Sequence, residues 1–178
     1  TAPQTEAEIE TFLLMMEYFF ERVFRGKKRV LFLMTADHGQ TEVNPQPTLY
    51  LNTDPRFAGL ERFLKTNRKG QLLIPAGSPR DMFFYIKDDL LEEATSFLAP
   101  RLEGKADVVG TEALIEEGYF GPQVSSRFRE RVGNLVILPY RYESVWWYEK
   151  GKFEQRFYGH HGGLTPQEME TVLYSYEL

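Results

Sequence analysis

The fold prediction starts from the apolar run Arg29-Val30-Leu31-Phe32-Leu33-Met34-Thr35, which Ala36-Asp37-His38-Gly39 follows directly. A nearly continuous apolar run of this kind predicts a strand with both faces covered, as in the parallel sheet of an α/β protein. In open α/β sheets, ligands bind outside the carboxyl ends of the strands. Asp37 and His38 therefore lie where a functional site is expected, and Gly39 permits the chain to turn there.

The flanking sequence predicts alternating helices and strands. Residues 5–25 are expected to form one helix, because Thr5 and Glu8 match a capping box and apolar residues repeat at helical spacing after them. Residues 40–80 are broken by five prolines. The sequence further predicts strands at Met82–Lys87, Ala106–Val109 and Leu135–Leu138. It also predicts a helix capped by Asp88 or Asp89, a hairpin over 145–157 and a terminal helix from Thr165. This pattern favours an α/β fold in which residues 47–151 form an inserted α+β segment, and residues 1–46 and 152–178 form the core that carries the site.

Composition excludes several classes of protein. The 178 residues correspond to about one domain, and the formal net charge of −5 argues against a protein that binds nucleic acid or an anionic membrane. The sequence has no cysteine, which excludes disulfides, cysteine-bound zinc and a thiol nucleophile. No apolar run reaches the roughly 18 residues of a membrane span.

Histidine chemistry is confined to two short segments, since the three histidines are His38, His160 and His161. A carboxylate and an imidazole at a strand end suit Zn²⁺ or a similar divalent cation. Two glycines after His161, with a helix start behind them, let the backbone approach an ion or an anion closely. The alternatives are an Asp that caps the next turn beside a rim histidine, and a glycine-rich turn with partly exposed histidines.

Both segments resemble motifs of one enzyme family. Thr35-Ala36-Asp37-His38-Gly39 is similar to the T-(A/S)-D-H-G motif of the alkaline phosphatase superfamily, and in particular of its type I phosphodiesterase/nucleotide pyrophosphatase family. His161-Gly162-Gly163-Leu164-Thr165-Pro166-Gln167-Glu168-Met169 resembles the late H-G-G-L-(S/T)-P-E-E-M motif of that family. The two motifs occur in the family's order, and a long predicted helix precedes the first one.

The resemblance implies an enzyme that hydrolyses phosphate esters with two divalent cations, most simply Zn²⁺. Asp37 and His38 would bind one ion and His161 the other, with His160 as a flanking residue. The family also has an Asp-x-x-x-His pair and a Thr or Ser nucleophile ahead of the long helix, and no Asp in this sequence has a His four residues after it. The resemblance is therefore to the C-terminal part of such an enzyme. The nucleophile and the remaining ligands are expected upstream of Thr1, and this chain alone is expected to be inactive.

The expected substrates are phosphodiesters or nucleotide pyrophosphates. The alternatives are a phosphomonoester, a phosphonate or a sulfate ester within the same superfamily, and a non-catalytic binding domain with a degenerate metal site. Arg80 is a candidate for binding the phosphate or the leaving group, or else a solvated loop arginine. The helix at 5–25 and the strand at 29–35 are expected to leave apolar surface uncovered, which the missing N-terminal part of the protein or a second copy of the chain would cover.

Overall fold

The computed structural model describes residues 2–27 and 29–177, which form two compact units. The first unit comprises the described residues up to Asp37 together with those from Val172, and the second comprises His38–Thr171. The boundary between the units thus falls inside the predicted site motif. None of the helices in the described part of the chain is long and apolar enough to cross a membrane.

The elements are numbered here in chain order. The α-helices are α1 (Pro3–Phe24), α2 (Leu91–Leu98), α3 (Thr111–Glu116), α4 (Ser126–Arg131) and α5 (Pro166–Met169). The strands are β1 (Leu31–Thr35), β2 (Thr41–Glu42), β3 (Leu49–Tyr50), β4 (Ala76–Ser78), β5 (Asp81–Phe84), β6 (Ala106–Gly110), β7 (Leu135–Pro139), β8 (Val145–Trp146), β9 (Gly159–His160) and β10 (Leu173–Glu177). Short 3₁₀ turns lie at Pro55–Phe57, Leu60–Phe63, Asp88–Leu90 and Ala99–Arg101.

The first helix begins earlier than the sequence predicts. α1 begins at Pro3, because proline is favoured in the first helical turn, where its missing N–H has no helical partner to lose. Ala2 is the N-cap residue and no side chain caps this end, so the predicted capping box of Thr5 and Glu8 is wrong. The helix itself is confirmed, since it ends at Phe24 against a predicted end at residue 25.

The apolar run forms β1, but its pairing differs from the prediction. Within the described part of the first unit, β1 pairs along its whole length with β10, which is antiparallel to it. The ring of Phe20 on α1 lies 4.4 Å from that of Phe32, measured between centroids, and so covers one face. Leu31 and Leu33 on the other face are 62% and 57% exposed. An apolar run specifies a strand, but neither the direction of its neighbour nor what covers its second face. As expected, large apolar side chains are exposed on α1, namely Leu14, Met15, Tyr18 and Phe19.

The second unit is built on a four-stranded antiparallel sheet with the strand order β4-β5-β7-β6. The predicted strands at 82–87, 106–109 and 135–138 are confirmed as β5, β6 and β7, each with shifted ends. α2 packs its buried Ala94 and Leu98 into the same core. Asp88 and Asp89 do not cap α2, because a 3₁₀ turn that contains both precedes it.

Two predictions near the end of the chain need correction. The hairpin expected over 145–157 is reduced to β8 and one isolated bridge between Glu149 and Phe153, and β8 pairs in parallel with β3 instead. The terminal helix begins at Pro166 as predicted but ends at Met169, and β10 follows it. The sequence of β10 is rich in tyrosine, which favours a strand over a continued helix. The predicted insertion over 47–151 contains the four-stranded sheet, and its limits stay a prediction.

Candidate functional site

Two of the predicted site histidines lie against each other in the second unit. The imidazole rings of His38 and His161 stack with their centroids 4.0 Å apart and their planes at 20°. The two residues are 123 positions apart in the chain. The structure thus brings together the first and the second histidine motif, which is the central geometric expectation from the sequence.

A glycine fixes the segment that carries His38. The Gly39 N–H donates a hydrogen bond of 2.8 Å to the carbonyl of Glu168. A Cβ atom at residue 39 would lie 2.1 Å from the carbonyl oxygen of Gln167, which is far inside van der Waals contact. Only glycine therefore lets the segment after His38 approach the start of α5 this closely.

The hydrogen bond of His38 indicates which of its nitrogens would serve as a metal ligand. His38 Nδ1 lies 2.8 Å from the carbonyl oxygen of Gly39. Because a carbonyl oxygen only accepts hydrogen bonds, Nδ1 is the donor in this contact, and Nε2 is the nitrogen that would bind a metal ion. Histidines that bind metals commonly use this arrangement, in which a backbone carbonyl orients the ring.

The donor set fits a two-metal site in part. His38 and His161 bring two imidazoles together, and imidazole is a common ligand of Zn²⁺ and similar divalent cations. Among residues 2–27 and 29–177, however, no group of three or more His, Asp or Glu side chains is arranged to hold a metal ion. Asp37 is exposed, belongs to the first unit and adjoins His38 in the chain, and its role as a ligand stays a prediction.

His160 is not part of the stacked pair. It lies on β9, opposite Thr41 of β2, and its ring makes an edge contact with Phe157 at 6.0 Å. Its Nε2 atom is buried without a hydrogen-bond partner in the described structure. Burial lowers the pKa of His160, and the neighbouring His161 and Arg80 lower it further.

Arg80 forms a buried ion pair with Glu168. Arg80 Nε and Nη2 donate hydrogen bonds of 2.9 and 2.8 Å to the two carboxylate oxygens of Glu168, and both side chains are almost fully buried. Arg80 Nη1 donates to the carbonyl oxygens of Tyr140 and Glu143. The interpretation of Arg80 as a solvated loop residue is therefore wrong. Its contacts also give no support to a role in binding substrate, because protein groups already occupy four of its five N–H donors.

Glu168 also holds the loop that carries His161. Its carboxylate accepts hydrogen bonds from the Gly163 N–H at 3.0 Å and from the Thr165 hydroxyl at 2.6 Å. Burial raises the pKa of Glu168, but the hydrogen bonds from Arg80, Thr165 and Gly163 together lower it by more, so the net pKa lies below its usual value. The sequence analysis places Glu168 only within the late motif and does not predict this role. The spacing Thr165-x-x-Glu168 was the available signal, since in a capping box the glutamate turns back toward the N-cap.

A cavity of about 220 Å³ lies beside the histidine pair, and both His38 and His161 line it. Asp81 is the other carboxylate besides Glu168 on its wall. Burial raises the pKa of Asp81, although hydrogen bonds from Ser78 oppose this shift. Among the described residues that line the cavity, none is a lysine or arginine, and most of the wall is apolar: Phe83, Leu114, Tyr119, Phe120, Leu138 and Met169.

Comparisons with known proteins support the fold. No family model matches the chain, and no curated protein does either. Among solved structures, the chain is similar to murine ectonucleotide pyrophosphatase/phosphodiesterase 5, an inactive form in complex with AMP, with a TM-score of 0.65 and 15% identity over 99% of this chain and 42% of that one. The human form of that protein gives a TM-score of 0.64 and 12% identity over 98% and 41%. Phosphonoacetate hydrolase from Sinorhizobium meliloti 1021, in complex with phosphonoformate, gives a TM-score of 0.56 and 18% identity over 89% and 38%.

These structures belong to the alkaline phosphatase superfamily, so the chain has a fold found in that superfamily. This confirms the predicted α/β class and, at the level of the fold, the resemblance drawn from the two motifs. The chain spans about two fifths of the length of the solved structures it matches, 42% in the first case.

Proposed function

We propose that this chain is the part of a two-metal phosphohydrolase that carries its late metal ligands, and that the enzyme cleaves phosphodiester or nucleotide pyrophosphate bonds. The observation that carries the proposal is the stacking of His38 on His161 at 4.0 Å. Two motifs remote in sequence meet at one point, and they do so in a chain whose fold is found among hydrolases of this superfamily.

In this proposal, Asp37 and His38 hold one divalent cation and His161 holds its neighbour, with Zn²⁺ as the first metal to test. Bound cations of this kind neutralise charge on the phosphoryl group and lower the pKa of an attacking hydroxyl. The chain's own contribution is to orient the ligands: the Gly39 carbonyl accepts a hydrogen bond from Nδ1 of His38, so Nε2 would be the nitrogen that binds the cation. The nucleophile and the remaining ligands would come from residues outside this chain, so the chain alone would not turn over substrate.

The cavity beside the histidines favours a substrate with an organic group near the scissile bond. Its wall is largely apolar and, in the described structure, has no lysine or arginine. A carboxylate such as that of phosphonoacetate would find no lysine or arginine side chain on this wall and would face Asp81 and Glu168 instead. An uncharged organic group of a phosphodiester would bury apolar surface against Phe83 and Phe120. The cavity thus supports a diester over a carboxylated phosphonate.

Calorimetric titration of the chain with Zn²⁺ tests the metal site without requiring activity. We expect the H38A and H161A variants each to weaken binding by at least about tenfold, because each removes one imidazole ligand. H160A is the matched control and is expected to bind Zn²⁺ like the original chain, since His160 lies outside the stacked pair. Equal binding by H161A and the original chain would refute the proposed metal site.

The reaction class needs a longer form of the protein that contains this chain. With Zn²⁺ present, we expect it to hydrolyse bis(p-nitrophenyl) phosphate faster than p-nitrophenyl phosphate or p-nitrophenyl sulfate. Preference for the monoester or the sulfate would favour the alternatives instead. Zn²⁺ binding without hydrolysis of any of the three would favour a binding domain.

A further inference from the structure

We propose that the turn Ser78–Asp81 is a positioning element for His161, and that it acts through the loop His161–Gly163 and through Glu168. The inference rests on the proposed function, because it assigns the turn to the metal site proposed there. The two contacting segments are called here the 78–81 turn and the 161–163 loop. They are about 80 residues apart in the chain, and three sets of contacts join them.

The first set of contacts runs through the buried ion pair. Arg80 of the turn holds both carboxylate oxygens of Glu168, and one of these oxygens accepts the N–H of Gly163. Charge-assisted bidentate pairs of this kind fix geometry as well as contributing energy. Glu168 is therefore a rigid link between the guanidinium of the turn and the backbone of the loop.

The second set is direct. The Ser78 hydroxyl donates its hydrogen to the Asp81 carboxylate, and its oxygen lies 3.2 Å from the carbonyl oxygen of His161 itself. Asp81 in turn accepts the Ser78 N–H at 2.9 Å. The side chains of the turn thus hold each other in place, and one of them reaches the backbone of the proposed ligand.

The third set is steric. Gly162 has φ +112°, a backbone conformation that residues other than glycine rarely adopt. A Cβ atom at Gly162 would lie 2.7 Å from Ser78 Oγ and 2.8 Å from Asp81 Oδ1. The loop backbone therefore packs directly on the turn, with no room for a side chain between them.

The 161–163 loop needs such support because two glycines follow His161. Glycine has the largest conformational freedom of any residue, so a Gly-Gly segment does not by itself fix the residue before it. The turn can supply that support because it is anchored elsewhere: it joins β4 to β5, and Arg80 Nη1 also donates to the carbonyls of Tyr140 and Glu143. A ligand misplaced by about 1 Å binds and reacts poorly, so anchoring of this kind matters for a metal site.

Ser78→Ala is the variant that tests the inference most cleanly, because it removes one hydroxyl and changes no charged residue. In Zn²⁺ titration calorimetry we expect S78A to bind roughly tenfold more weakly than the original chain, as is typical when a group that supports a ligand is lost. S78T keeps the hydroxyl and is expected to restore most of the affinity. S125A is the matched control: it removes a serine hydroxyl that caps α4 by accepting from the Phe128 N–H, so it lowers stability without touching the loop.

A merely structural role would give a different result. In that case S78A and S125A would lower the unfolding midpoint alike, and Zn²⁺ affinity would stay unchanged in both, which would overturn the inference. E168Q, which weakens the link through the ion pair, is expected to lower Zn²⁺ affinity as well; if it fails to fold, S78A and S78T still decide the question.

A readout without metal separates this inference from the proposed function. The stacked rings of His38 and His161 produce mutual ring-current shifts in the imidazole proton signals of the chain. We expect S78A, but not S125A, to change these shifts. If the original chain binds no Zn²⁺, the proposed function fails, whereas unchanged imidazole shifts in S78A would show that the turn does not position His161.

Discussion

Glu168→Gln perturbs the buried ion pair with the smallest change of shape. Glutamine has the size of glutamate but carries no charge, so Arg80 would keep its positive charge in a site where neither side chain is more than 1% exposed. The amide group would also place N–H donors against a region already crowded with donors from Arg80, Gly163 and Thr165. The variant therefore leaves a buried cation without its counter-ion.

The size of the effect follows from burial. Removing one partner of a buried ion pair costs about 3–5 kcal/mol, because the other charge stays desolvated and unpaired. An exposed pair is worth only about 0–1 kcal/mol. Since domains are stable by about 5–15 kcal/mol, E168Q is expected to remove a large part of the stability of the second unit. The unfolding equilibrium constant would rise by about two to more than three orders of magnitude.

The chain contains a matched control. Arg62 and Glu93 form an ion pair with the same kind of contact, 2.7 Å between Nη2 and Oε1, but their side chains are 59% and 57% exposed. E93Q therefore removes the same charge from an ion pair of similar length. Urea denaturation followed by tryptophan fluorescence reports on the second unit, because both tryptophans, Trp146 and Trp147, lie within it.

We expect E168Q to lower the free energy of unfolding by about 3–5 kcal/mol and E93Q by less than about 1 kcal/mol. Equal and small effects would refute the reasoning, since they would mean that the carboxylate of Glu168 is not the buried counter-ion of Arg80. The double variant R80M/E168L is expected to recover only part of the loss. It removes both charges, but it leaves the Glu143 carbonyl and the Gly163 N–H without their partners.

Three further predictions concern Glu168, Gly39 and Asn134. The folded-state pKa of Glu168 is lowered, so its contribution to stability is fully present above the unfolded pKa of about 4.3 and is lost as the pH falls through the lower folded value. The stability of the original chain should therefore fall more steeply with acid than that of E168Q. Urea denaturation between pH 6 and pH 3 measures the difference. Gly39→Ala should destabilise the second unit by about 2–3 kcal/mol, because the new Cβ would overlap the Gln167 carbonyl. Gly110→Ala is the control, since a Cβ there meets open space, and by the same assay it should cost less than about 1 kcal/mol. Asn134→Ala should cost about 1–3 kcal/mol, because the Asn134 amide pairs with both the N–H and the carbonyl of Ile86, and loss of slow hydrogen exchange at Ile86 would show it.

The parts of the fold that the sequence predicted well are those with a local signal. The periodic apolar residues of α1 gave its extent to within two residues at the start and one at the end. β5, β6 and β7 were recognised because each is a short apolar run between turn residues. The contact between His38 and His161 was also predicted, because the two histidines lie in motifs that resemble those of one enzyme family.

Other features depend on partners that a local pattern does not contain. Arg80 lies in a Pro- and Gly-rich turn, where an arginine is normally solvated, and its burial depends on a glutamate 88 positions away. The antiparallel partner of β1 lies at the other end of the described chain, and an apolar run is equally compatible with either direction. The second strand of the hairpin expected over 145–157 did not form, because a local pattern does not supply a neighbouring strand to pair with.

The buried ion pair also bears on how the predicted insertion relates to the site. Ser78, Arg80 and Asp81 belong to the segment predicted as an insertion, residues 47–151, whereas His161 and Glu168 belong to the flanking sequence predicted to carry the metals. Removing that segment would leave the Glu168 carboxylate without its cation and the 161–163 loop without its contacts to the 78–81 turn. A segment that was only an accessory would not be expected to supply the counter-ion of a buried core carboxylate. The sequence between the two histidine motifs is therefore better understood as part of the site's supporting structure than as a separable module.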